Sequence, residues 1–79
     1  METRLAVMGI IVKSKDSVQT INEILHEYNG YIIGRMGIPY KERNISLISV
    51  ALDAPQDKIS AISGKIGNLM NVEVKTAFA

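Results

Sequence analysis

The sequence contains no cysteine, which excludes both a disulfide framework and a thiolate metal site. An excess of charge is also missing, because nine basic residues are balanced by eight acidic ones and the formal net charge is +1. Dedicated nucleic-acid surfaces show a strong basic excess or stripe, so direct DNA binding is not expected. No apolar run approaches the ~20 residues needed to cross a bilayer. The N-terminal segment METRLAV lacks the apolar core of a signal peptide, so we expect a cytoplasmic protein without membrane association.

Groups that could carry catalysis or bind a metal are also few. His26 is the only histidine, and it lies beside Glu23 and Glu27 in a segment with helical spacing. One imidazole without thiols makes a poor transition-metal site within a single chain, although two subunits could share one. The favoured interpretation is a surface residue near a helix C-terminus, where the helix dipole favours a cation. No serine has a readable histidine–carboxylate arrangement beside it, so we expect no enzyme, no cofactor and no metal.

Apolar residues are abundant for so short a chain. The sequence is expected to form one domain over residues 1–79, and 47% of its residues are hydrophobic. A chain of this size buries only roughly 60% of the surface that it exposes when unfolded. Apolar area beyond one small core usually contacts a partner subunit, so we expect a homo-oligomer, either a dimer or a tetramer.

The apolar periodicity of the first half predicts a strand, a helix and a second strand. Residues 4–13 form a continuous apolar run typical of a strand buried on both faces. The segment SKDSVQTINEILHEYNG then changes to helical spacing. Asp16 begins a capping-box pattern, and Asn29–Gly30 is a typical C-terminal stop with glycine in the left-handed conformation. A second strand is predicted over residues 31–39.

The second half repeats this order of elements. The polar turn YKERN precedes a third strand over residues 45–53, and so short a connection predicts an antiparallel hairpin. Asp53 is predicted to cap a second helix, with Pro55 tolerated in its first turn. Gly64 and Gly67 of this helix are interpreted as sites of close packing against the sheet or another subunit, and a nucleic-acid-binding GxxG loop is the weaker alternative. The alternating segment VEVKTAF predicts the last strand.

The order β-α-β-β-α-β in 79 residues predicts an α+β ferredoxin-like sandwich. Right-handed crossovers place strands one and three in the centre of the antiparallel sheet and both helices on one face. Both alternating sets of side chains on these central strands are apolar. The other face of the sheet is therefore predicted to be apolar, and covering it with another subunit would explain a symmetric oligomer.

The stretch YIIGRMGIPYKERNI opens like a strand, yet glycine, arginine and proline interrupt it. Gly34 and Gly37 fall on opposite faces, so each leaves the backbone open to a close neighbour. Arg35 between them is a planar donor suited to a carboxylate or phosphate. With Tyr40 and Arg43 these residues make up the candidate ligand-binding site. The alternative is an edge strand in which these residues prevent uncontrolled pairing.

Three segments resemble the family of iron-only hydrogenase system regulators: EILHEYNGYIIGRMGIPYKERNISLISVALDAP, ISAISGKIG and VEVKTAFA. The match covers almost the whole chain, its most specific part is the segment IIGRMGIPY with the following KER turn, and residues 34–40 are taken as matching positions. The resemblance implies an ACT-like, ferredoxin-like domain akin to the regulatory half of nickel-responsive repressors, and a role as a regulator. Those repressors bind metal through several histidines and a cysteine, and they carry a DNA-binding arm. This chain has one histidine and no cysteine, so nickel sensing and autonomous DNA binding are not expected.

Two functional hypotheses follow. In the first, an oligomeric regulatory module binds a small anionic or amino-acid-like effector where subunits meet, and acts on a transcription or hydrogenase-maturation protein. Arg35 would supply the charge, Gly34 and Gly37 the clearance, and Tyr40 or Arg43 the rim. In the second, the chain is a protein-interaction element without a small ligand. Nucleic-acid binding by a basic surface assembled across subunits is a third and weaker hypothesis.

Overall fold

The computed structural model describes residues 2–79, which form a four-stranded antiparallel sheet with two helices. The elements in chain order are β1 (Arg4–Val12), α1 (Lys15–Glu27), β2 (Ile32–Tyr40), β3 (Ile45–Ala54), α2 (Gln56–Gly67) and β4 (Val72–Phe78), with 3-10 turns at Asn29–Tyr31 and Lys41–Arg43. The strands lie in the order β2-β3-β1-β4. The predicted α+β ferredoxin-like fold is confirmed, including the two central strands. No helix within residues 2–79 is long and apolar enough to cross a membrane.

Alternation along the central strands separates the two faces of the sheet. β1 and β3 pair from Arg4 opposite Ala54 to Val12 opposite Ser46, without a break in register. Side chains that share a register row project to the same face, and neighbouring residues project to opposite faces. One face packs against both helices, and we call it the covered face. The opposite face has no layer from this chain, and we call it the open face.

The core lies between the covered face and the two helices. Its buried side chains come from four elements of the fold. They are Ala6, Met8, Ile10 and Val12 of β1, Ile48, Val50, Leu52 and Ala54 of β3, Ile21 and Leu25 of α1, and Ile59, Ile62 and Ile66 of α2. Full burial of each large aliphatic side chain stabilises the fold by about 1.5–3 kcal/mol. The helical spacings seen in the sequence thus produce a single apolar stripe on each helix.

The predicted helix caps are wrong at both N-termini. Helix α1 begins at Lys15 with Ser14 as its N-cap, so Asp16 lies inside the first turn and does not cap. Helix α2 has Pro55 as its N-cap because β3 continues through the buried Ala54. Asp53 pairs with Leu5 and projects to the open face, away from the amides of the helix. The strand alternation therefore overrides the local capping pattern.

The expected left-handed glycine at the end of α1 is also absent. Tyr28 is the C-cap, and Gly30 lies in the following 3-10 turn. No glycine within residues 2–79 has a positive φ. The left-handed positions are Asn44, after the second 3-10 turn, and Asn71, before β4. Asparagine tolerates this conformation because its short polar side chain can hydrogen-bond locally. Two of the three connections at that end of the sheet, those that lead into β3 and β4, therefore use asparagine.

The glycines of α2 do not make the predicted close approach to the sheet, and the alternative of close packing against another subunit stays a prediction. A Cβ added at Gly64 or Gly67 would meet nothing within 4 Å. The tie between the helices comes instead from Lys65, whose Nζ lies 3.1 Å from Oε1 of Glu27 and 4.9 Å from the ring centroid of Tyr28. These two contacts connect the last turn of α2 to the C-terminal end of α1.

Candidate effector site and the open sheet face

Strand β2 carries most of the candidate residues and forms one edge of the sheet. Its register against β3 shifts between Ile32 and Gly34, which marks a β-bulge. Beyond the bulge, Gly34 pairs with Ala51 on the open face, whereas Arg35 pairs with Val50 on the covered face. The bulge therefore decides which face receives the guanidinium.

Arg35 and Gly37 line a groove of about 320 Å³ between β2 and helix α1. Helix α1 contributes Val18 and Asn22 to this groove, and Ser46 of β3 lies on its far side. Arg35 makes no ion pair with any other residue in the range 2–79. The groove thus combines a free guanidinium, an amide and a hydroxyl, which are donors suited to a carboxylate or phosphate.

The absent side chain of Gly37 keeps this groove open. A Cβ at Gly37 would meet nothing within 4 Å, so the backbone on the covered face of β2 is accessible. Helix α1 packs over the central strands and leaves this part of the edge strand exposed. The groove is therefore open to a small molecule from the side of the sheet.

A second cavity of about 310 Å³ lies at the neighbouring end of the sheet. Lys15 at the start of α1, Lys41 and Asn44 line it together with Tyr40. The hydroxyl of Tyr40 donates to Oε2 of Glu42 at 2.9 Å. Pro39 and Ser46 line both this cavity and the Arg35 groove, so the two are adjacent.

The structure therefore brings some of the sequence-predicted site together and separates the rest. Arg35 and Gly37 share one groove, and Tyr40 lines the adjacent cavity. Gly34 faces the open side of the sheet, and Arg43 lies in the 3-10 turn at the hairpin tip and lines neither cavity. His26 is exposed in the last turn of α1, and residues 2–79 contain no group of three or more potential metal ligands.

Sequence reasoning missed Asn22 and Ser46 as neighbours of Arg35. Val18 and Asn22 are one helical turn apart, so their shared helix face was readable from spacing. Their position over the edge strand depends on how α1 crosses the sheet, which no local pattern states. The sequence therefore lacked the tertiary packing that brings these residues to the groove. Only their polar side chains could have suggested that they contact a ligand.

The open face is apolar, as the sequence predicted. Its large exposed hydrophobic residues are Leu5, Val7 and Ile11 of β1, Leu47 of β3, and Ile33, Met36, Ile38 and Tyr40 of β2. An apolar hollow of about 280 Å³ is lined by Gly9, which lacks a side chain, and by Ile11, Met36 and Leu47. β4 differs, because it presents Glu73 and Lys75 on this face. So large an apolar surface on a small protein is typical of an interaction site.

These features define a small ferredoxin-like α+β protein with a polar groove at one sheet edge and an apolar sheet face. A family model named TM1266-like, described as "Iron-only hydrogenase system regulator, putative", matches residues 4–76. The chain therefore belongs to the TM1266-like family, which confirms the resemblance found in the sequence. No curated protein matches the chain at a significant level.

Two solved structures are similar to this chain. The uncharacterized protein TM1266 from Thermotoga maritima is 35% identical over 98% of both chains, with a TM-score of 0.93. A formyltetrahydrofolate deformylase from Pseudomonas putida matches 92% of this chain and 28% of its own, with a TM-score of 0.68 and 10% identity. The second similarity shows the fold alone.

Proposed function

We propose that this protein is an oligomeric regulatory module of an iron-only hydrogenase system, in which a small anionic or amino-acid-like effector binds beside Arg35 and changes contacts with a partner protein. Membership of the TM1266-like family supports the regulatory role. The structural observation that carries the proposal is the guanidinium of Arg35, which has no ion-pair partner within residues 2–79 and lines an open groove.

The groove has the composition expected for a small amphipathic anion. Arg35 can form a bidentate pair with a carboxylate or phosphate, and the amide of Asn22 can bond a second polar group. Val18 and Ile48 line the same groove and offer apolar contact to the remainder of the ligand. A molecule of amino-acid size needs only this combination of one charged anchor, one or two polar groups and an apolar wall.

Binding there would couple two elements of the fold. Arg35 and Gly37 belong to edge strand β2, whereas Asn22 belongs to helix α1. A ligand that contacts both would hold the edge strand against the helix and alter the surface that the β2–β3 hairpin presents. The proposed partner is a transcription or hydrogenase-maturation protein that reads this surface.

The experiment begins with a thermal-shift screen of the twenty amino acids, nucleotides, small carboxylates, inorganic phosphate and divalent metals. A compound that binds only the native state must raise its apparent stability. Each hit is then titrated calorimetrically against wild type, Arg35→Ala and Arg43→Ala. The proposal expects Arg35→Ala to lose binding and Arg43→Ala to retain it, since Arg43 lies outside both cavities.

Equal titration of Arg35→Ala and wild type would contradict the proposed site. Circular dichroism and light scattering on each variant show whether fold and assembly are intact, so that lost binding can be assigned to the guanidinium. A screen without any stabilising compound would instead favour the second function, a protein-interaction element. The apolar open face is the observation that supports this alternative.

Nucleic-acid binding by an assembled oligomer is the least supported function. Lys15 and Lys41 both line the cavity at the end of the sheet, but the whole chain carries a net charge of only +1. A mobility-shift experiment at low salt with the DNA upstream of the coding sequence tests it. Because phosphate contacts are strongest at low salt, a negative result there excludes this function.

A further inference from the structure

The open face contains two neighbouring register rows with complementary side chains. The first row, from β2 to β4, is Met36, Ser49, Gly9 and Lys75. The second row, in the same order, is Ile38, Leu47, Ile11 and Glu73. On β3, β1 and β4, the first row has a small or basic residue where the second row has a large or acidic one. On β2 both residues are large and apolar.

The charges of the open face restrict how a second copy could cover it. Glu73 and Lys75 lie on edge strand β4, whereas Met36 and Ile38 lie on the opposite edge, β2. A two-fold axis parallel to the strands would place β4 of one copy over β2 of the other. That arrangement removes water from two charges without giving them partners, which is costly.

A two-fold axis across the strands avoids this cost. Such an axis places β4 of one copy over β4 of the other, and β2 over β2. If the axis runs between the two rows, the first row of one copy lies over the second row of the other. Lys75 then faces Glu73 of the second copy, Gly9 receives Ile11, and Ser49 receives Leu47. Met36 meets Ile38 at the other edge.

We infer that the open face is the self-association surface of this protein, with the two-fold axis across the strands between the Gly9 and Ile11 rows. The inference deepens the oligomer of the proposed function and does not depend on its ligand. On the two central strands each large side chain near the axis meets a small one, so the hollow beside Gly9 is filled by Ile11 of the second copy. Packing of this kind reaches the density found in protein interiors.

The next rows outward follow the same pattern. Gly34 and Ala51 are paired on one side, and Tyr40 and Ile45 are paired on the other. The same axis places Tyr40 over Gly34 and Ile45 over Ala51 of the second copy. A Cβ at Gly34 would meet nothing within 4 Å in the single chain, so its bare backbone faces space that the second copy would occupy. Packed sheets rotate by about 30°, which shifts these outer pairs more than the central ones.

The area available fits a reversible dimer. Seven residues along each of four strands cover a flat footprint of about 440 Å² per copy, from spacings of about 3.3 and 4.8 Å. The ridged accessible surface is larger than this footprint, so the total buried area is about 1,000 Å², at the lower limit for a specific interface. Association is therefore expected to depend on concentration in the micromolar range.

The inference leaves the Arg35 groove accessible. Arg35 and Gly37 project to the covered face of β2, on the opposite side of the sheet from the interface. Failure of the interface and failure of the effector site are therefore separate results. Titration of Arg35→Ala tests the second, and variants of the open face test the first.

Sedimentation equilibrium of the full chain, with wild type, Glu73→Lys, Lys75→Glu and the double variant, tests the orientation. By symmetry each single change creates two like-charge contacts, so the dimer dissociation constant should rise about tenfold. The double variant restores opposite charges and should return to within about threefold of wild type. Glu73 also pairs with Lys13 at 3.5 Å, so circular dichroism must show an intact fold in each variant.

Gly9→Val provides a second test that does not involve charge. The added Cβ would lie 3.8 Å from the carbonyl oxygen of Lys75, an ordinary contact, and circular dichroism must show that the valine variant keeps the fold. The side chain fills the hollow and should weaken association at least tenfold, whereas Gly37→Val on the covered side of β2 should not. Wild type that stays monomeric, single charge variants that match wild type, or a double variant as weak as the singles would each overturn the inference.

Discussion

The two faces of the sheet are built by the same strands, but only one of them is covered by this chain. On β1, Ile10 is 1% exposed beneath the helices, while its neighbour Ile11 is 37% exposed on the open face. On β3, Val50 is fully buried and Leu47 is 44% exposed. Large apolar side chains therefore occur on both faces of the central strands, although the open face also holds Gly9, Ser49 and Asp53. The main difference between the faces is the layer above them.

This difference shows what two-sided apolar strands require. A strand with one solvated face alternates apolar and polar residues, as β4 does with Val72 and Val74 against Glu73 and Lys75. The central strands lack that alternation, so their sequence specifies a layer on each side. The two helices supply the first layer, and the second copy inferred here supplies the other.

The largest expected effect separates the faces directly. Ile10→Ala removes buried methylene groups from the core and should lower the free energy of unfolding by about 2–5 kcal/mol. Ile11→Ala, one residue away, should cost less than about 1.5 kcal/mol in the monomer, because its side chain is partly exposed there. Urea unfolding at dilute protein concentration measures both. Equal losses would show that the open face is already covered in the single chain.

The second effect concerns association without loss of fold. Leu47→Lys places a charge at the centre of the open face and should raise the dimer dissociation constant by at least about thirtyfold, as for an interface hot spot. Met70→Lys is the matched control, since Met70 is also an exposed apolar residue, at 80%, but lies outside the sheet. Analytical ultracentrifugation of both variants distinguishes a specific face from general stickiness. A similar loss in both would contradict the comparison.

A smaller effect tests the helical layer that covers the first face. Gly64 lies inside α2, and a Cβ added there would have no neighbour within 4 Å, so Gly64→Ala should stabilise the protein by about 1 kcal/mol through helix propensity. Gly67→Ala, at the last residue of the helix, should gain less. Thermal unfolding of both variants provides the measurement. A loss of stability at Gly64 would restore the close-packing role suggested by the sequence.

The smallest effect concerns the tie between the two helices. Hydrogen bonds with Tyr28 and then Glu27 raise the pKa of Lys65 above its usual 10.5. A raised pKa favours the charged form in the folded state, so this stabilisation is complete below pH 10.5 and is lost as pH rises through the folded value. Lys65→Met should therefore lower the melting temperature slightly at pH 8, and this difference should disappear as pH rises past the folded-state pKa of Lys65. A difference that persists at high pH would indicate lost packing instead of lost charge.

Much of the fold could be predicted from the sequence because the hydrophobic period changes sharply between elements. The helical spacing of Ile59, Ile62 and Ile66 puts all three on one side of α2, which must then pack against the sheet. In the structure these three residues are buried as a stripe. The strand bounds agree with the structure within one residue at each end where both are defined. The predicted cap of α2 was wrong because Asp53 belongs to a strand whose alternation turns it away from that helix, and the cap of α1 was wrong because the helix begins before Asp16.

The candidate site could be predicted only in part. The alternation of β2 correctly placed Arg35 and Gly37 on one face and Gly34 on the other. Asn22 was missed because its place in the Arg35 groove depends on how α1 crosses the sheet, and Ser46 was missed because its place depends on the register of β2 against β3. The hydrogen-bond donors of the groove define only the chemical class of the effector, and the ligand screen identifies the compound.

Sedimentation equilibrium of the unmodified protein from about 1 to 200 μM tests the central claim most directly, in the concentration range expected for an interface of this area. A chain of 8.7 kDa that covers its open face with a second copy should show an apparent mass that rises with concentration toward twice that value. A single species of 8.7 kDa at every concentration would contradict the claim.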